Sequence, residues 1–276
     1  MSASSASPRP GSPTPFDGQA PEFDSRVGLP EEDCRAIVAA VLAMAEVRPG
    51  GRVVEIGAGT GMIGRWFLGA PVRYVGLDLS RGMLEIFRHR PGAERAGLVQ
   101  ADASQPWPLP AGAARAIFSS RAIHLLPLKT AVDEVVRVGA AGGTLVLGWV
   151  ERHPESVKTR MSRRMRQLVR ERGFTARTSG GGVLFDALRR HGARELPRRA
   201  VVRWPVRHSP REALARWRGK AGLGGVVLPP GAQDEVLDEL EAWAVQVFGG
   251  LDTWQESEEA YVLEGMRLSA RVSNHG

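Results

Sequence analysis

Cysteine, lysine and tyrosine are scarce in this chain, and long apolar runs are absent. Cys34 is the only cysteine among 276 residues, so no disulfide can form within the chain. That suits a reducing compartment, and the expected location is cytoplasmic. Cys34 itself falls in a helical pattern and reads as a buried bystander. No apolar stretch is long enough to span a bilayer, so no membrane partner is expected. The first residues are Ser, Ala and Pro, without the basic start and apolar core of a secretory leader. No cluster of ligand residues at zinc spacing is present, and no metal is expected. Lys129, Lys158 and Lys220 are the only lysines, so the net charge of +7 rests on arginine. A GC-rich coding sequence explains such a bias. An anionic substrate or nucleic acid is the functional alternative.

What is present centres on Val53 to Gly61. Val53, Val54 and Ile56 make a short β-branched run suited to a buried strand. Gly57, Gly59 and Gly61 follow at alternate positions. A helical pattern of Ile63, Trp66, Phe67 and Leu68 comes next. Strand, glycine turn and helix together make a ligand cradle, because glycine lets a ligand approach the backbone closely. A dinucleotide fingerprint requires glycine where Met62 stands, and a phosphate loop requires Gly-Lys-Ser/Thr. Both patterns fail. Arg73 to Asp78 reads as a second strand ending in an acid, with Asp78 placed 21 positions after Gly57. That spacing suits an acceptor for ribose hydroxyls. Leu98 to Ala103 reads as a third strand ending in a second acid, Asp102. Ala116 to Ser120 reads as a fourth and Thr144 to Val150 as a fifth. Thr130 to Val138 is an intervening helix, with Gly142-Gly143 marking its end. At the carboxyl end of strand four stands His124, a candidate general base because imidazole titrates near neutrality.

The run Glu55-x-Gly57-x-Gly59-x-Gly61 resembles the first motif of the class I S-adenosylmethionine (SAM) methyltransferases, in particular the small-molecule, type 11 or UbiE-like group. Asp78-Leu79-Ser80-x-x-Met83-Leu84 resembles that family's D-x-S-x-x-M-L pattern. Glu134-x-x-Arg137-Val138 with Gly142-Gly143 resembles its E-x-x-R-V-L-x-P-G-G segment, with Ala141 in place of the proline. The resemblance covers about Phe23 to Val150 well and the remainder in outline. It implies an α/β Rossmann-like class I methyltransferase fold: a mostly parallel seven-stranded sheet, helices on both faces and a helical cap insertion. It also implies SAM as cofactor. The implied cofactor-binding residues are Glu55, Gly57, Ala58, Gly59, Gly61, Asp78, Leu79, Met83, Asp102, Ala103 and Ser119. Of these, Glu55 lies near the amino acid end, Met83 near the adenine, and Asp102 at the adenine amino group. A segment such as Phe23 to Leu29 closes over the cofactor in many relatives, which makes Arg26 a substrate candidate. A simple helix entry turn is the other reading of that segment.

Residues 1–19 are rich in Ser, Pro and Gly, and are expected to be a disordered tail. The methyltransferase domain is expected over residues 20–276. Arg160 to Arg172 reads as a basic helix with an apolar stripe, either a solvated face or a surface for RNA. Candidate strands at Ala200 to Val206 and Ala260 to Leu268 flank two helical patterns, Pro210 to Lys220 and Ala232 to Phe248. The insertion, at about 209–253, is the expected acceptor-selecting cap, with Trp217 and Trp243 as substrate candidates. Packing of the inserted helices is the alternative role for these side chains. DNA amino-methylation lacks its Asn/Asp-Pro-Pro-Tyr/Phe motif here, since Ser119-Ser120-Arg121-Ala122 stands instead. Cytosine C5 chemistry lacks its cysteine, and arginine methylation lacks its paired glutamates. The expected activity is methyl transfer to a small-molecule acceptor. An RNA methyltransferase and a SAM-binding regulator without turnover are the alternatives.

Overall fold

The computed structural model describes residues 28–174, 181–220 and 222–270. The expected tail over residues 1–19, and Arg26 with most of its segment, lie outside the described residues. The helices are α1 (Glu31–Met44), α2 (Arg81–Arg88), α3 (Leu128–Val138), α4 (Val157–Glu171), α5 (Gly181–Arg190), α6 (Pro210–Arg218) and α7 (Ala232–Phe248). The strands are β1 (Arg52–Ile56), β2 (Arg73–Asp78), β3 (Gly97–Gln100), β4 (Ala114–Ser120), β5 (Gly139–Arg152), β6 (Arg194–His208) and β7 (Gln255–Arg267). They form one seven-stranded, mostly parallel sheet in the order β3-β2-β1-β4-β5-β7-β6. The pairs β1–β2, β1–β4, β2–β3 and β4–β5 are all parallel. This is the Rossmann-like architecture expected from the sequence.

The chain divides into two compact units: Met1–Trp149 with Gly180–Val202 and Val262–Gly276, and Val150–Ser179 with Arg203–Tyr261. The first holds the nucleotide-fold core. Alternation along its strands separates two packed faces. Val54, Ile56, Leu77, Ile117 and Leu145 pack with α3 and α5 through Val132, Val135, Phe185 and Leu188. From the opposite face, Phe67 stacks on Tyr74 at 5.6 Å and meets Phe118 at 5.9 Å, while Phe87 meets Tyr74 at 5.9 Å. Burial of each phenylalanine contributes roughly 1.5–3 kcal/mol.

Two local expectations change. The helix expected after the glycine loop is a six-residue 3-10 segment, Gly64–Gly69. Glycine stands at both its ends, and Pro71 follows Ala70, which disfavours further helix. Helix α3 ends at Val138, before Gly142-Gly143, with the Gly139 N–H donating to the Val135 carbonyl. Gly142, at φ +66°, falls where the β4–β5 register shifts. The glycine pair therefore marks a strand irregularity rather than a helix end.

The second unit is helical. Helices α4, α6 and α7 share an apolar core of Met161, Met165, Leu168, Leu214, Val236 and Leu240. Ser209 and Glu212 form a capping box at the start of α6. Beneath the helices, buried Glu259 accepts from Arg152 Nε at 2.9 Å and lies 3.5 Å from Lys158 Nζ. The helical unit takes in α4 as well as the two helices of the expected insertion.

Candidate functional site

The strand order reverses between β1 and β4. Open α/β sheets bind ligands in the crevice that such a reversal leaves at the carboxyl ends of the strands. A cavity of about 720 Å³ lies there, within the roughly 300–1,000 Å³ range of small-molecule sites. The ends of β1, β2 and β4 and the segment after β3 line it.

Its glycine turn has three left-handed residues: Gly57 (φ +76°), Gly59 (φ +55°) and Gly61 (φ +73°). They serve different purposes. A Cβ at Gly57 would stand 2.2 Å from the Ala122 Cβ, and one at Gly61 would stand 2.4 Å from the Phe87 ring. These two glycines allow the protein to pack against itself. A Cβ at Gly59 meets nothing within 4 Å. Gly59 lines the cavity, so its bare backbone is the surface that a ligand can approach.

Asp78 fixes the turn. Its Oδ2 accepts the Gly59 N–H at 2.7 Å, and its Oδ1 accepts the Ser80 N–H at 2.8 Å. Asp78 also lines the cavity. Ser80 caps α2 by accepting the Met83 N–H at 3.1 Å. That cap sets Met83, which lines the cavity together with Leu79. Asp102 accepts the Ser104 N–H at 2.9 Å and lines the cavity beside Ala103. The following loop is held by the pair Glu134 and Arg137. Glu134 accepts the Trp107 N–H at 2.6 Å, and Arg137 donates to the Trp107 and Leu109 carbonyls at 2.8 and 2.7 Å. The Arg137 guanidinium holds the Glu134 carboxyl below its usual value.

Glu55 is buried at the end of β1 and lines the cavity. The Tyr74 hydroxyl donates to its Oε2 at 2.5 Å. Burial first, and then the Asp78 charge, push the Glu55 carboxyl up to about 8 against the opposing pull of that hydrogen bond. His124 lies at the cavity on the 3-10 turn Ile123–Leu125. Desolvation and then the Arg121 charge hold its imidazole below the ordinary value, so it is neutral and proton-accepting at pH 7.

Of the sequence-predicted residues, Glu55, Gly57, Ala58, Gly59, Asp78, Leu79, Met83, Asp102, Ala103 and His124 line this one cavity. Gly61 and Ser119 are not among the lining residues. Ser119 is buried, donating to the Ile56 carbonyl at 2.9 Å and accepting the Ile123 N–H at 3.1 Å. It ties β4 to β1 and shapes the loop that carries His124. Trp217 and Trp243 pack against the apolar core of the helical unit, and Trp243 meets Phe248 edge-on at 5.7 Å. Sequence reasoning missed Tyr74, Thr60 and Ser104. Tyr74 had a signal, since parallel pairing and strand alternation put it on the Glu55 face.

The side chains fit SAM by charge. Among the described residues, three carboxyl groups and a single guanidinium line the cavity. SAM carries an ammonium, a sulfonium and a carboxylate, and it has no phosphate for a basic cradle to hold.

Residues 53–143 match the family model described as a methyltransferase domain, and every cavity-lining residue among those described falls inside that segment. No curated protein matches the chain. Among solved structures, the YcgJ protein of Bacillus subtilis aligns with a TM-score of 0.53 at 20% identity, over 84% of this chain and 98% of that one. Phosphoethanolamine N-methyltransferase 2 of Haemonchus contortus, in complex with S-adenosylhomocysteine, aligns at 0.52 and 14%, over 92% and 57%. The [4+2]-cyclase SpnF aligns at 0.56 and 17%, over 92% and 94%. At these identities the likeness is one of fold. The sheet order and the matched segment together define a class I methyltransferase fold around the cavity.

Proposed function

We propose that the protein is a SAM-dependent methyltransferase acting on a small-molecule acceptor. The observation that carries this reading is the division of labour at the cavity. Gly59 leaves open backbone, and Glu55, Asp78 and Asp102 line the same cavity with carboxyl groups. A neighbour of the same fold is solved with S-adenosylhomocysteine, which agrees with that assignment. The subgroup is proposed from the sequence patterns alone.

SAM supplies an electrophilic methyl group on its sulfonium. Asp78 would accept hydrogen bonds from the ribose hydroxyls and Asp102 from the adenine amino group, while Leu79 and Met83 would pack on the base. Glu55 faces the amino acid end. Neutral His124 takes the proton that an alcohol, amine or acidic carbon loses as it is methylated. Met62, Leu125 and Leu126 supply apolar lining that excludes water. The helical insertion at about 209–253 is the part proposed to select the acceptor.

A small acceptor is favoured over RNA by the state of the basic helix. Arg164 on α4 and Arg172 at its C-terminal cap both pair with Glu239 of α7, at 3.0 and 3.1 Å. These guanidiniums already have partners within the helical unit. The test is a methyl-labelled SAM assay over a panel of small phenols, amines, carboxylic acids and total RNA. The reading expects label in a small molecule and loss of most turnover in His124→Ala. Label in RNA alone would favour the nucleic-acid reading, and SAM binding without label anywhere would favour a regulatory protein.

A further inference from the structure

The proposed chemistry gives Tyr74 no role, yet Tyr74 and Glu55 form a buried polar contact at the cavity. Both side chains are 2% exposed. Two glycines make room for them. A Cβ at Gly64 would stand 2.3 Å from Tyr74 Oη and 2.6 Å from Glu55 Oε2. A Cβ at Gly76 would stand 2.9 Å from Tyr74 Oη. The Tyr74 ring is held by Phe67 and Phe87. This packing leaves the hydroxyl aimed at one carboxyl oxygen.

Among the described residues, the groups around Glu55 do not neutralise a negative charge. From β2 come Tyr74, a neutral donor, and Asp78, a like charge. The 3-10 segment offers Gly64 there, while its Arg65 donates to Glu31 of α1 at 2.7 Å. From β4 the register partner is Phe118, and α2 brings Phe87. A buried carboxylate without a cation is costly, so the carboxyl keeps its proton. The cavity beside it is where a cation can arrive.

We propose that Tyr74 is a positioning residue for Glu55, and that Glu55 releases its proton to solvent when a cationic ligand enters the cavity. This deepens the proposed function and rests on it, since SAM is the cationic ligand. The balance is simple. The carboxylic O–H bond breaks, the proton leaves to buffer, and the carboxylate faces the ligand's positive charge. The Tyr74 O–H then stabilises the ionised Oε2, which a phenylalanine could not do.

Two measurements test this. The first uses the ligand-free protein, labelled with ¹³C at glutamate carboxyls and assigned with Glu55→Gln. Glu55 is expected to titrate near 8. Tyr74→Phe should raise that value further, because a donor to the charged form is lost. Titration of Glu55 in the ordinary carboxylate range would overturn the proposal. The second is calorimetry at pH 7 in buffers of differing ionisation enthalpy. SAM and S-adenosylhomocysteine should each release most of one proton, and 5′-methylthioadenosine, which lacks the ammonium and sulfonium, should release none. Glu55→Gln should bind SAM without release. Tyr74→Phe should bind SAM several-fold more weakly at pH 7, with the loss closing as pH rises past 9. A merely structural tyrosine would weaken binding equally at every pH. SAM binding with no buffer dependence would overturn the proton release alone. No SAM binding would overturn the functional reading and the cation half of this inference, while the ligand-free titration still decides the Tyr74–Glu55 half.

Discussion

The backbone N–H of Gly59 donates to Asp78 Oδ2 at 2.7 Å, joining the glycine turn after β1 to the end of β2. One carboxylate thus holds the turn in shape and presents itself to the cavity. Two motifs 19 residues apart become a single structural unit through that bond.

Asp78→Ala should therefore do more than remove a ribose acceptor. The Gly59 and Ser80 N–H groups both lose their partner. Charge-assisted hydrogen bonds of this kind contribute about 1.5–3 kcal/mol, so SAM affinity should fall at least tenfold and thermal stability should drop with it. Calorimetry and a melting curve on the same preparation check both. Unchanged affinity in a folded variant would place the ribose contact elsewhere.

The three glycines should separate by variant. Gly57→Ala and Gly61→Ala drive a Cβ into Ala122 and Phe87, at 2.2 and 2.4 Å. Overpacking costs roughly 1–3 kcal/mol, and the left-handed backbone adds about 1–2 kcal/mol. Both variants should unfold at markedly lower urea. Gly59→Ala carries only the backbone cost and fills the open space, so SAM affinity should fall more than stability does. A Gly59→Ala protein that binds SAM normally would contradict the assignment of that surface to the cofactor.

Glu55 predicts a slope of stability with pH. The folded protein keeps its proton up to about pH 8, whereas the unfolded chain releases it near the ordinary 4.5. Between those values the native state binds more protons, so stability falls as pH rises, by up to about 1.4 kcal/mol per pH unit. Glu55→Gln should lose that component and gain on the wild type as pH rises toward 8. Urea denaturation of both proteins at pH 5, 6.5 and 8 measures it. Parallel pH profiles would mean that Glu55 ionises normally.

Much of this was legible in the sequence for physical reasons. The carboxylates and glycines of the cavity sit at strand ends, where a short apolar run followed by Gly or Asp leaves little freedom. Helices α6 and α7 were legible through their apolar spacing. The 3-10 segment was misread as a full helix because Ile63, Trp66, Phe67 and Leu68 keep helical spacing, while Gly64, Gly69 and Pro71 limit its length. Tyr74 was signalled only through sheet register, and Ser119 was assigned to the cofactor because the sequence does not show that its hydroxyl bonds to backbone. The aromatics of the insertion show no periodicity that separates a pocket wall from a packed core.

Trp217 and Trp243 pack on the helical unit's core, and among the described residues none that lines the cavity comes from that unit. Truncation of a core tryptophan costs about 3–5 kcal/mol when fully buried, and both side chains are only partly buried. Trp217→Ala and Trp243→Ala should destabilise the helical unit by roughly 2 kcal/mol each, leaving SAM affinity within twofold. The phenylalanine variants should keep the fold, and a selective fall in their acceptor turnover would support the acceptor-selecting role proposed for the insertion. Loss of SAM affinity equal to the loss of turnover would make the insertion a cofactor lid instead.

The most direct test of the SAM assignment is a calorimetric comparison of SAM with NAD and NADH on the wild-type chain. The cavity has carboxylates where a dinucleotide needs a pyrophosphate receptor, and Met62 occupies the position where the dinucleotide pattern requires glycine. Stoichiometric SAM binding that Gly59→Ala weakens, with no heat from either dinucleotide, is the predicted result. NADH binding more tightly than SAM, or a folded protein that binds no SAM, would contradict it.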